Sequence, residues 1–189
     1  EGGDARAEAL AQELRERLGD SLFTEGQSTI AEIVLDLCRE RGLTLATAES
    51  CTGGLVAAKL TAVPGSSDVF RGSVVAYAND VKTRELGVSQ DVLAAHGAVS
   101  AETAAAMAAG VREQLEADVG VSDTCVAGPG GGTLEKPVGL AYLHASGPDG
   151  ELATSFSVPA DRETVRARAT VAALHLVRRL LAQSRDSSV

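Results

Sequence analysis

The chain has 189 residues, 44% of them hydrophobic and 23% charged, a size and balance that suit one globular domain and exclude a wholly disordered chain. Two Tyr, three Phe and no Trp against 32 Ala imply a tightly packed aliphatic core and leave few rings on which single-stranded nucleic acid could stack. A net charge of −9 at pH 7 argues against duplex nucleic acid or an anionic membrane as partner, because phosphates need a basic face.

Leu10, Leu14 and Leu18 fall four apart and predict a helix over residues 5–18, with a turn at Gly19 and Asp20. Thr29 and Glu32 predict a capping box that opens a helix running through Arg39, and Gly42 is placed to end it. Leu43–Ala48 reads as a short strand, followed by the polar, small-residue stretch Glu49–Gly54 and a helix over Leu55–Thr61. Strand, turn, helix is a layout that exposes reactive groups at the carboxyl end of a strand. Ser73–Ala78 predicts a second strand, with short helices near Asp80–Leu86 and Ser89–Ala95. Ser100 is expected to cap an Ala-rich helix over Ala101–Leu115. Asp118–Val126 reads as a buried third strand running into the glycine stretch Ala127–Thr133. Val138–Ser146 and Glu151–Val158 flank Gly147–Gly150 as a hairpin, and a long final helix starts at Asp161. Together these predict an α/β fold, a three-layer α/β/α sandwich with a mixed sheet in a single domain. Residues 1–26 are expected to form an N-terminal helix and connecting segment, 27–184 the main domain and 185–189 a tail.

Cys38, Cys51 and Cys125 are odd in number and lack C-x-x-C spacing, so neither a disulfide framework nor a zinc site is expected. Three scattered His residues add no metal-ligand pattern, and no metal or cofactor is expected. The absence of a long apolar run and the charged start of the chain suggest a soluble, cytoplasmic protein. The arginines of the last helix (Arg162, Arg166, Arg168, Arg178, Arg179) read as a solvated face.

Three segments can carry chemistry: Thr47–Gly54, Tyr77–Lys82 and Ala127–Gly139. The last is neither a P-loop nor a dinucleotide fingerprint. Its glycines can turn backbone N–H groups toward an anion, or simply form a surface loop. Ser50 becomes a nucleophile only if a base takes its proton, and Lys82 can do so if burial keeps its amine neutral. The N–H groups of Thr52, Gly53 and Gly54, at a predicted helix start, can hold an oxyanion. On spacing alone, a helix-cap serine and a surface lysine fit better. Cys51 reads as a small buried residue or a rival nucleophile. Glu49 is either an acid of the site or a helix-start carboxylate. Tyr77, at a strand end, is either a hydrogen-bond donor to substrate or a core residue.

The segments LATAESCTGGL, VPGSSDVFRGSVVAYAND, HGAVS, AGPGGGTLEKPVG and VPADRETVRARA, in that order, resemble the C-terminal domain of the CinA family of competence/damage-inducible proteins. That resemblance implies hydrolysis of the carboxamide of nicotinamide mononucleotide to nicotinate mononucleotide and ammonia, with a nucleotide as small-molecule substrate. It further implies Ser50 as nucleophile, Lys82 as base and Tyr77 as assisting tyrosine. Thr52, Gly53 and Gly54 are then expected to face the oxyanion, and Gly128, Gly130, Gly131, Gly132 and Thr133, helped by Arg71, the substrate phosphate.

One position departs from the family pattern, which has glycine where this chain has Cys125. Either the pocket narrows there, or the backbone is ordinary β and only side-chain space is reduced. Asp123 adds negative charge nearby, where an anionic nucleotide should dock. The alternative is therefore a non-catalytic nucleotide-binding or regulatory protein of the same fold. The Ala-rich helix and the apolar final helix suggest subunit contacts, and a homo-oligomer is expected.

Overall fold

The computed structural model describes residues 2–19, 22–24 and 26–183. The expected tail over 185–189 and Asp20 of the expected first turn lie outside the described residues.

Helix α1 spans Gly2–Leu18 and leaves Leu10, Leu14 and Leu18 exposed along one side. Helix α2 spans Ile30–Arg41 and begins at the expected capping box. The Glu32 N–H donates to Thr29 Oγ1 and the Thr29 N–H to the Glu32 carboxylate, and Gly42 ends the helix in the left-handed conformation at φ 62°. Strand β1 (Leu45–Glu49) follows and is buried throughout, then α3 (Leu55–Thr61) and β2 (Phe70–Val75). Helices α4 (Asn79–Leu86), α5 (Gln90–His96) and α6 (Ala101–Gln114) come next, α6 capped by Ser100 as expected. Strands β3 (Val119–Cys125), β4 (Leu140–Gly147) and β5 (Gly150–Ser157) precede the long α7 (Arg162–Gln183).

The sheet runs β2-β1-β3-β4-β5, parallel across β2, β1 and β3 and antiparallel from β3 to β5. It is the mixed sheet the sequence predicts. Strand β2 begins three residues earlier than expected, because Leu45 pairs with Phe70 before the register shifts around Arg71. Helices α2, α3 and α7 cover one face, where Leu45, Val119, Val121 and Leu143 meet Leu35, Val56, Leu174 and Val177. Helices α4, α5 and α6 cover the other, where Ala46 and Ala48 meet Met107 and Val111.

Close approach explains why this core uses small residues. A Cβ on Gly110 of α6 would stand 1.9 Å from the Leu86 carbonyl oxygen, and one on Gly120 of β3 would stand 2.4 Å from that of Ala108. Only glycine allows α4 to seat on α6 and α6 on the sheet. Among the described residues, no helix is long and apolar enough to cross a membrane.

Candidate active site

Parallel pairing of β1 with β2 and β3 brings the turn after Glu49, the start of α4 and the end of β3 to one edge of the sheet. The turn after β1 closes tightly through Gly53 and Gly54, at φ 62° and 97°. Glu49, the last residue of β1, folds back over it. Its carboxylate accepts from the N–H groups of Gly54 at 2.8 Å, Val56 at 3.1 Å and Ala57 at 2.8 Å. Those are the open donors of the first turn of α3, so the carboxylate caps that helix from inside the core.

Ser50 and Lys82 meet there. Lys82 Nζ donates to Ser50 Oγ at 2.9 Å and to the Ala76 carbonyl at 2.7 Å. Lys82 is 1% exposed and Ser50 8%. Burial pushes the Lys82 ammonium below the ordinary lysine range, and the charge of Asp123 opposes that shift. Lys82 is therefore no surface lysine, and the serine faces a base rather than capping a helix.

A pocket of about 210 Å³ opens over this pair, lined also by Tyr77, Asn79, Thr124, Cys125 and Arg162. Tyr77 is 59% exposed at its mouth, and its hydroxyl accepts from Arg162 Nη2 at 2.6 Å. Arg162 also donates to the Gly128 carbonyl at 3.0 Å. One turn further along α7, Arg166 donates to the carbonyls of Cys51 at 2.9 Å and Thr52 at 2.8 Å. The expected purely solvated face thus fails at Arg166, which reaches the carbonyl oxygens of the turn after β1, and at Arg162, which is exposed but held over the pocket by the Gly128 carbonyl and the Tyr77 hydroxyl. A larger groove of about 770 Å³ between β5 and α7 contains none of the expected site residues.

Several expected residues sit differently. The Thr52 N–H donates to Asp123 at 3.1 Å and the Gly54 N–H to Glu49, so two of the three expected oxyanion donors are engaged by buried carboxylates, leaving Gly53. Arg71 lies beside the Leu45 end of β1, opposite Ser50, and its Nε donates to the Leu115 carbonyl at 3.2 Å. It does not join the pocket. Gly128 is buried beside Arg162, whereas Gly130, Gly131, Gly132 and Thr133 form an exposed loop in which the Thr133 hydroxyl accepts from the Lys136 N–H.

Cys51 and Cys125 form a disulfide across 74 residues, with Cα atoms 5.6 Å apart. This corrects the expectation of no disulfide, since spacing along a chain says nothing about strand ends that meet in space. Cys125 lies in ordinary β-ladder pairing with Ala141, so the pocket loses side-chain space but the backbone is undistorted. Cys51 is a partner in that bridge and not a rival nucleophile.

The family model described as the CinA C-terminal domain matches residues 27–181. The chain belongs to the CinA family. It is 44% identical over 180 residues to a CinA-like protein of Dictyoglomus turgidum, covering 95% of this chain and 44% of that protein. It is 49% identical over 168 residues to a CinA-like protein of Frankia casuarinae, covering 89% and 39%. This CinA chain thus spans less than half the length of these curated relatives. The solved structure of competence/damage inducible protein CihA from Agrobacterium tumefaciens matches with a TM-score of 0.77 at 37% identity, covering 84% of this chain and 99% of that one. A CinA superfamily protein from Klebsiella pneumoniae matches with a TM-score of 0.75 at 30% identity, covering 82% and 99%.

Sequence reading missed Arg162 and Arg166 as site residues and the bridging of Cys51 to Cys125. No local signal marked Arg162 and Arg166, because arginines four apart on a helix read equally well as a solvated face.

Proposed function

We propose that this CinA-family chain is a nicotinamide-nucleotide amidohydrolase that converts nicotinamide mononucleotide to nicotinate mononucleotide and ammonia through a Ser50 acyl-enzyme. The observation that carries the reading is the buried contact of 2.9 Å between Lys82 Nζ and Ser50 Oγ. The substrate identity comes from the family resemblance.

Once Lys82 is neutral, the contact runs the other way and the Ser50 hydroxyl donates its proton to the amine. Ser50 Oγ attacks the carboxamide carbon, and the Gly53 N–H takes the charge that develops on oxygen. The protonated Lys82 then gives its proton to the departing nitrogen. The C–N bond breaks, ammonia leaves and an ester remains on Ser50. Water, deprotonated by Lys82, attacks that ester, releasing nicotinate mononucleotide and restoring the serine hydroxyl. Tyr77 and Arg162, hydrogen-bonded to each other at the mouth, offer the polar and cationic groups that an anionic nucleotide needs.

A second reading, nucleotide binding without turnover, draws on the engagement of the Thr52 and Gly54 N–H groups by carboxylates. Ammonia release from nicotinamide mononucleotide separates the two. The enzyme reading expects turnover that Ser50→Ala abolishes, and calorimetric binding without any product would favour the second.

A further inference from the structure

The Thr52 hydroxyl is shared between two carboxylates. It lies 2.7 Å from Glu49 Oε2 and 2.6 Å from Asp123 Oδ2, and all three side chains are at most 1% exposed. A hydroxyl has one proton and so donates to only one of these oxygens. The other contact needs a proton of its own, because two bare carboxylates repel each other in a dry interior. Glu49 is used throughout as an acceptor, taking three backbone N–H groups and the Ser73 hydroxyl at 3.2 Å. Asp123 has fewer donors. Its Oδ1 accepts from the Thr52 N–H at 3.1 Å and lies 3.1 Å from Cys51 Sγ. Burial pushes its carboxyl up to about 6, the Thr52 bonds and the Ser50 N–H oppose that shift, and the Glu49 charge adds to it. The proton therefore belongs to Asp123, and donation runs from Asp123 to Thr52 to Glu49.

We propose that Asp123 is a positioning residue for the Ser50–Lys82 pair: through the Thr52 hydroxyl it shares one proton with Glu49, fixes the turn that carries Ser50, and, once ionised, favours the Lys82 ammonium. The inference rests on the serine–lysine reading above. The groups facing Asp123 are Glu49 from β1, the Ser50 N–H, Cys51 and Thr52 from the turn, and Lys82 from α4 through its charge. Arg166 from α7 holds the same turn by its carbonyls, and Leu143 stands opposite on β4. While Asp123 is neutral, burial alone acts on Lys82 and favours the amine. When Asp123 ionises, its charge favours the ammonium.

The test is the pH dependence of kcat/KM for ammonia release from nicotinamide mononucleotide by the intact chain, Asp123→Asn and Ser50→Ala. Asparagine offers an N–H to Thr52 Oγ1 and an oxygen to the Thr52 N–H, copying the protonated acid at every pH. The rising limb of Asp123→Asn is expected to move toward acid by about one unit. An unmoved limb, with Ser50→Ala inactive, overturns the role of Asp123 alone, whereas full turnover in Ser50→Ala overturns the serine–lysine reading instead. A measurement independent of turnover and of the variant's folding is the infrared spectrum of the parent chain with labelled aspartate carboxyl carbon. A protonated aspartate band that persists to about pH 6 is expected, and loss of all such bands together at the ordinary aspartate value would overturn the shared proton.

Discussion

Lys82 Nζ stands 2.9 Å from Ser50 Oγ and 2.7 Å from the Ala76 carbonyl oxygen, on a side chain that is 1% exposed. A carbonyl and a hydroxyl can hold an ammonium but do not neutralise it, so the amine form loses little here compared with water.

Replacing Lys82 by Met or Arg should lower kcat/KM for nicotinamide mononucleotide by about 10²–10⁴-fold. Met has no basic nitrogen, and the Arg guanidinium does not give up its proton near neutrality. Because burial holds Lys82 below its ordinary value, the unfolded chain binds more protons between the folded and unfolded values. Stability should therefore rise with pH across that window. Urea unfolding at several pH values should show this rise in the parent and a flatter profile in Lys82→Met.

Arg166→Ala removes two charge-assisted hydrogen bonds to the Cys51 and Thr52 carbonyls. A loss of about 2–3 kcal/mol in unfolding free energy is expected, together with reduced turnover, since the same turn carries Ser50. Arg166→Lys should recover only part of either, because a single ammonium cannot reproduce the forked contact. Parallel denaturant titrations and initial rates would check both.

Reduction of the Cys51–Cys125 bridge opens a loop of 74 residues and should cost about 4 kcal/mol of stability on the chain-entropy account. Denatured without reductant, the oxidised chain should titrate with one thiol per molecule, from Cys38. Prior reduction should raise this to three. An unchanged denaturation midpoint with and without reductant would count against the bridge.

Gly110→Ala should destabilise by about 3 kcal/mol, since its Cβ would collide with the Leu86 backbone. Gly130→Ala, with nothing within 4 Å, should leave the thermal midpoint unchanged. It also serves the glycine loop: a raised KM for the nucleotide with unaltered stability would tie that loop to substrate binding.

The capping box at Thr29 and Glu32, the glycine stop at Gly42 and the final hairpin were legible because each is a local code, written within a few residues. The Ser50–Lys82 pair was legible only through motif context, because a spacing of 32 residues says nothing about distance in space. Arg162 and Arg166 hid for a related reason: arginines four apart on a helix look solvated until segments distant in sequence supply their acceptors. Asp123 was noticed as a charge near the site, but its partner Thr52 is 71 residues away. Arg71 was grouped with the site because it sits inside a family-like segment, while the strand carries it to the opposite end of the sheet.

Arg166 reaches Cys51 across 115 residues, Arg162 reaches Tyr77 across 85, and Lys82 reaches Ser50 across 32. Contacts of such separation close only after most of the loop entropy has been spent, so the pocket belongs to the last stage of folding and not to any early nucleus. A chain that ended before α7 would hold its nucleophile and its base and still lack the clamp that aligns them.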